Sequence, residues 1–538
     1  MKCVFNTIKI GILAMLVALT FPHERCAGKS GIGTKNLGEI DRALSIPQIE
    51  HCAHRVGNLW MSVTNWGCLG FINDGATLFP EPDCPRSENR GSVLIPSAEF
   101  PAGSGINYLF QGALWIGAIV DNDTLVSVGT DGWNHVFEMY PRGAPYGGLN
   151  YRSTEPTDPD YDPSAVSEFD IVAEYTDTLT NEDFTSRDPM DNRPHRPLGL
   201  KIVQESYSWS DSTYEDFIIF RYRIKNVGSQ YLNKVFFGLY FDCDIRHFAN
   251  PYGFQDDISG SYRYFDPTTS ESVFVAWSAD NDGDPTRGEQ WDERSARGVF
   301  GVTLLDFPTK PQQSFNWWFT NGYELAFDWG PRRQENNRDF GTGGLGTPSG
   351  DRNKYYVMST PEKDYDQMWD AIDYTSQGWM PPIPQISNGD ESYDTRFLLS
   401  FGALDLAPGD GMEFAFVVAM GDNFHRNPTD FRDLYDPFNP QALYDSLDFS
   451  DLTTNILAAR ELYRQLFVVV PGDVDRSGVV NIADAICLLN YLYLCGSAPR
   501  PLSVADPNGD CSVTLADAVY LFRYLFRGGL APIEGCAP

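Results

Sequence analysis

Residues 473–493 and 506–526 carry one pattern twice, at an offset of 33 residues. Asp473 aligns with Asp506, Asp475 with Asn508, Ser477 with Asp510, Asn481 with Thr514, and Asp484 with Asp517. The apolar positions that follow also align: Ala485 with Ala518, Leu488 with Leu521, Tyr491 with Tyr524, and Leu492 with Leu525. Oxygen-bearing side chains at positions 1, 3, 5, 9 and 12 of a twelve-residue loop suit a hard cation that takes six to eight oxygens. Position 7 (Val479 or Ser512) would offer its backbone carbonyl. Position 12 opens a helix and supplies a carboxylate, Asp here where a full EF-hand has Glu. The expected ligands are therefore Asp473, Asp475, Ser477, Val479, Asn481 and Asp484 for one calcium ion, and Asp506, Asn508, Asp510, Ser512, Thr514 and Asp517 for a second. The loops differ at position 6, which is Gly478 in the first and Cys511 in the second, where Gly509 sits at position 4 instead. A Cβ is unfavourable where φ is positive. The second loop is expected to be distorted, with a disulfide from Cys511 able to impose the geometry.

On these residues, 472–528 resembles a type I dockerin, a module of two calcium-loop-plus-helix repeats. The resemblance implies a tail that docks on a cohesin-like or other cell-surface protein. It places the recognition positions at loop positions 10 and 11 and in mid-helix: Ile482-Ala483 with Asn490, and Leu515-Ala516 with Arg523. Cellulosomal dockerins often carry hydroxyl or polar residues at the first pair, whereas these are apolar. Such tails also occur on secreted bacterial proteins outside cellulosomes.

The rest of the chain fits an extracellular setting. Lys2 and Lys9 precede the short apolar run Ile10–Phe21, and Cys26-Ala27-Gly28 places small residues at a cleavage site. Residues 1–28 thus read as a signal peptide. No later segment is long and apolar enough to span a bilayer. The 73 acids against 40 bases give a formal charge of -33, which argues against nucleic acid and anionic membranes as partners. Eight cysteines follow residue 28, an even count that permits full pairing in an oxidising compartment. Cys487 and Cys495 would lie about 12 Å apart along a helix, too far to bond directly. A Cys511–Cys536 bond would tie the chain end to the second loop.

Between 29 and 440 the pattern is β. Leu114–Val120 and Thr124–Val128 flank the turn Asp121-Asn122-Asp123, a hairpin signal. Phe217–Ile224, Val235–Phe241, Ser272–Trp277, Phe397–Phe401 and Glu413–Ala419 are further aromatic and β-branched runs bounded by Gly, Pro, Asn or Asp. They predict antiparallel β-sandwich modules followed by the small α-helical dockerin domain with its paired EF-hand-like loops. The expected divisions are a β-rich region at 29–165, a β-sandwich region at 166–440, an amphipathic helix and linker at 441–470, and the calcium-binding domain at 471–538. Leu452, Ile456, Leu457, Ala459, Leu462 and Leu466 give the helix its stripe.

Chemistry in the β region is harder to place, because in so acidic a chain carboxylate pairs are everywhere. Asp242 and Asp244 close an apolar strand beside His247 and upstream of Asp256-Asp257, a candidate for a further calcium ion. Asp280-Asn281-Asp282-Gly283-Asp284 and the series Asp158, Asp160, Asp162 are other acidic turns. His51 and His54 flank Cys52 without further zinc ligands in view. There is no GxSxG and no P-loop, and Gly341–Gly346 lacks the strand-to-helix setting of a nucleotide fingerprint. Trp317-Trp318-Phe319 with Trp329 offers flat rings for polysaccharide contact. The leading expectation is a secreted calcium-binding protein whose tail mediates docking or clasping and whose β module is non-catalytic. The alternatives are a dockerin-bearing glycoside hydrolase acting on polysaccharide, and a calcium-dependent adhesin or surface-layer component.

Overall fold

A computed structural model describes residues 49–70, 84, 95–132, 136–141, 147–287, 289–319, 328–336, 346–382, 394–499 and 501–537. The signal-peptide reading at 1–28 and most of the glycine loop 341–346 lie outside them. The described residues are mainly β, with two large antiparallel sheets face to face, a two-stranded pair (Ile106–Asn107 with Arg246–His247) and a small helical domain at the C-terminus.

The eight-stranded sheet runs His51–His54, Met61–Thr64, Cys68–Leu69, Gln111–Val120, Leu232–Asp242, Thr395–Leu406, Gln312–Phe319, with Asp123–Val128 paired to Gln111–Val120 as the expected hairpin. The nine-stranded sheet runs Asp257–Asp266, Glu271–Asp280, Val299–Asp306, Gly411–Gly421, Phe217–Asn226, Leu200–Ser208, Phe169–Thr176, Tyr140–Pro141, with Asn150–Arg152 also on Phe169–Thr176. Neighbouring apolar runs in sequence do not simply pair. Phe217–Asn226 and Leu232–Asp242 lie in opposite sheets, as do Thr395–Leu406 and Gly411–Gly421. Buried Asn226 joins the two crossings: its side chain donates to Gln230 O and Leu406 O, and its N–H donates to Asp410 O.

The inner faces meet in an aromatic core. Phe237 and Phe401 of one sheet lie 5.3 and 5.1 Å, centroid to centroid, from Phe414 of the other. Phe241 lies 5.3 Å from Phe300. Both outer faces are covered as well. On strand Gly411–Gly421, Phe414, Phe416 and Val418 point into the sandwich, while Ala415, Val417 and Ala419 pack outward with Leu452, Ile456 and Ala459. On the opposite sheet, Trp115, Tyr240 and Leu398 pack outward against Tyr355, Val357 and Met358 of helix Asp351–Ser359. Burial on both faces is why these strands read as continuous apolar runs instead of alternating ones.

The amphipathic helix expected within 441–470 starts later than that range does, at Ser450. Helix Ser450–Phe467 carries the apolar stripe, and Gln441–Tyr444 is a separate turn. The break falls where Asp448 Oδ1 accepts from Ser450 N–H at 2.9 Å. Among the described residues, disulfides join Cys52 to Cys84 and Cys511 to Cys536, whereas Cys68, Cys243, Cys487 and Cys495 are free. The even count therefore does not translate into full pairing: Cys68 and Cys243 are sealed in the core as small apolar groups.

Candidate metal centre

Helices Ile482–Tyr493 and Leu515–Arg527 form the C-terminal domain around Val474, Ala485, Leu488, Ala505, Ala518 and Leu521. The aligned alanines and leucines of the repeat thus face one another. Each helix begins at a reciprocal cap. Asn481 Oδ1 accepts from Ala483 N–H at 2.7 Å while Asp484 Oδ2 accepts from Asn481 N–H at 2.7 Å. Thr514 and Asp517 do the same in the second unit. The position-12 carboxylate is therefore held both by the loop and by the helix it starts.

In the first loop, Asp473 Oδ1 accepts from Ser477 N–H and Oδ2 from Gly478 N–H, which wraps the backbone around its carboxylate. Gly478 has φ of 83°, the left-handed turn the sequence requires at position 6. Asp473, Asp475 and Asp484 each bring a carboxylate oxygen to within 4.8 Å of the others. Oxygens that share one calcium at 2.3–2.6 Å lie at most about 5 Å apart. The first loop therefore fits the ion. Burial, and then the nearby Asp475 and Asp473 charges, push the Asp484 carboxyl up to about 6.

The second loop is built differently. Cys511 holds φ of 63°, in the left-handed region, and is bonded to Cys536. Asp506 Oδ2 accepts backbone N–H groups of Cys511, Cys536 and Ala537 at 3.0, 2.9 and 3.2 Å. Asp517 Oδ1 is buried and has no hydrogen-bond partner. An orphaned carboxylate oxygen at position 12 is the acceptor a cation would satisfy, so the donor set of this loop also fits calcium.

Arg476 at position 4 was not singled out by the loop pattern. It donates to Gln465 O and Leu466 O, both at 3.0 Å, and so caps the end of helix Ser450–Phe467. The contact fastens the first loop to the β module.

The other sequence candidates fall as follows. Asp242 and Asp244 come together, joined by Asp394, which sequence reasoning missed because it lies on a distant strand approach. Arg396 sits between two of them, donating to Asp242 Oδ1 at 2.8 Å and pairing with Asp394 at 2.7 Å. Asp280, Asp282 and Asp284 form a third carboxylate group. Asp158 and Asp162 instead cap turns, accepting from Asp160 and Ser164 N–H groups. His54 is buried between the hydroxyls of Ser206 and Ser208, and Cys52 is in a disulfide. Trp317, Trp318 and Trp329 are no more than 1% exposed, so their faces pack the core and cannot stack on a sugar. Among the described residues, no helix is long and apolar enough to cross a membrane.

Two loop-and-helix units closed on a shared apolar core define a calcium-binding repeat module. Residues 471–526 match the dockerin type I domain, and the C-terminal domain is a type I dockerin. No curated protein matches the chain. Among solved structures it is similar to a polysaccharide lyase, at 9% identity over 71% of this chain and 34% of that one, with a TM-score of 0.22. It is also similar to a putative aldose 1-epimerase from Escherichia coli K12, at 7% identity over 70% of this chain and 100% of that one, with a TM-score of 0.23. The chain thus spans about a third of the lyase's length (34%). Likenesses with scores this low leave the β module to be read from its own residues.

Proposed function

We propose that this is a secreted protein whose tail folds around two calcium ions and then docks on a cohesin-like protein at the cell surface, carrying a non-catalytic β module with it. The observation that carries the reading is a matched pair of unpartnered apolar faces. Ile482 and Ile486 on the first helix are each 49% exposed, and their repeat-mates Leu515 and Val519 are 49% and 42% exposed. Apolar side chains left open at equivalent positions of both repeats suit burial against a partner. Calcium would act first, by neutralising the loop carboxylates that otherwise repel, so that both helix starts are held in place. The ligands would be Asp473, Asp475, Ser477, Val479 O, Asn481 and Asp484, and Asp506, Asn508, Asp510, Ser512 O, Thr514 and Asp517. In the β module we place calcium away from Asp242 and Asp244, because Arg396 already supplies the counter-charge there.

Capture from native extracellular extract by the full chain tests this. A protein retained in calcium, released by chelator, and lost with Ile486→Asp plus Val519→Asp supports docking through these faces. Equal retention in chelator would overturn it.

A further inference from the structure

At the end of strand Glu271–Asp280 three carboxylates converge, with a fourth on the neighbouring strand's approach. Asp280 closes the strand, Asp282 and Asp284 follow in the turn, and Asp256 precedes the paired strand Asp257–Asp266. One oxygen each from Asp280, Asp282 and Asp284 lies within 4.8 Å of the others, inside the span that one calcium at 2.3–2.6 Å can bridge. Asp280 Oδ1 accepts three N–H groups, from Asp282, Gly283 and Asp284. Its other oxygen, Oδ2, is buried and accepts nothing, although Asp280 is fully enclosed (0% exposed). Among the described residues, none of the four carboxylates pairs with Lys or Arg, in contrast to Asp242 and Asp394 on Arg396. A buried carboxylate oxygen that accepts no hydrogen bond, on a residue grouped with two further carboxylates, lacks a positive partner.

We propose that Asp256, Asp280, Asp282 and Asp284 form a calcium site in the β module, independent of the two tail loops. Asn250 Nδ2 donates to Asp284 at 3.3 Å and steadies the rim. The site ties the turn after one strand to the start of its neighbour, so the ion would staple one end of the sandwich.

Trp291 gives the site its own reporter. A Cβ on Gly283 would meet the Trp291 ring at 3.0 Å, so the indole lies against the loop. The chain has no tryptophan after Trp379. Terbium emission excited through tryptophan therefore reads the β module and not the tail. The full chain, stripped by chelator, is titrated with terbium and then with calcium. The expected result is saturable emission that calcium displaces, kept in Asp473→Asn plus Asp506→Asn, and weakened at least tenfold in affinity by Asp282→Asn plus Asp284→Asn. Trp291→Phe should lose the emission but keep the number of calcium ions bound in equilibrium dialysis. If Asp282→Asn plus Asp284→Asn fails to fold, the Trp291→Phe comparison still decides. Emission that vanishes with the tail variant, or survives Trp291→Phe, would overturn the assignment.

Discussion

Cys536 donates its backbone N–H to Asp506 Oδ2 at 2.9 Å, so the bond from Cys536 to Cys511 folds the chain end over the first position of the second calcium loop. The disulfide spans 25 residues. Closing a loop of that size stabilises by roughly 3 kcal/mol in the chain-entropy account. It also keeps Cys511 in the left-handed conformation that glycine would otherwise supply. Cys536→Ser should therefore weaken the second calcium site about tenfold and leave the first unchanged. Calcium titration followed by nuclear magnetic resonance of loop amides would separate the two. Equal weakening of both loops would mean that the bond stabilises the domain as a whole.

Arg476 couples the tail to the β module through the carbonyls of Gln465 and Leu466. Charge-assisted hydrogen bonds of this kind contribute about 1.5–3 kcal/mol when well shielded, and less where water reaches them. Arg476→Ala should leave calcium binding intact but free the connection between residues 467 and 473. Limited proteolysis should then cut within Val468–Pro471 several-fold faster than in the unaltered chain. An unchanged rate would show that apolar packing alone holds the tail.

The legible part of this chain was the part with local logic. Helix caps and helix faces in the tail follow from spacing: Asp484 closes the cap on Asn481, and Leu488 lies on the inner face where the repeat puts it. The sheet order was not legible. Asn226-Val227-Gly228 reads as a turn, and nothing local tells whether the chain returns along the same sheet or crosses to the other. The answer lies in long-range bonds, such as Asn226 to Leu406 O. For the same reason Asp394 could not be joined to Asp242, nor Asp256 to Asp280, before the strands were in register. Tryptophan was misleading in the opposite sense: a ring suited to a sugar is equally suited to a core, and Trp317 and Trp318 serve the core.

Leu452 interlocks helix Ser450–Phe467 with the nine-stranded sheet. A Cβ on Gly301 or on Gly421 would meet atoms of Leu452 at 2.7 Å, so the two glycines leave the groove that this side chain fills. Leu452 is fully buried. Leu452→Ala should cost about 2–5 kcal/mol. Gly421→Ala should also destabilise, because its Cβ would meet the Leu452 backbone nitrogen at 2.8 Å. Thermal unfolding of the full chain in calcium would show both losses in the β-module transition. A loss confined to the tail transition would mean that the helix belongs with the tail.

His195 should make the β module sensitive to mild alkali. Its burial works to lower the pKa, but the Glu138 carboxylate at 3.0 Å and then the Asp177 carbonyl at 2.9 Å outweigh it, and the ring is raised to about 9. In the unfolded chain an imidazole titrates near 6.5. Below about 6.5 both states are protonated, and the full stabilisation by Glu138 is present. Above that the unfolded state gives up its proton first, so stability declines and is lost as pH passes through about 9. The difference is on the order of 3 kcal/mol at most. Denaturant midpoints in calcium should therefore fall between pH 6.5 and 9 in the unaltered chain. In His195→Gln, which keeps a donor but cannot be charged, stability should be lower at pH 6 and the decline flatter. A parallel decline in both proteins would assign the effect to other groups and remove the charged His195–Glu138 pair from the account.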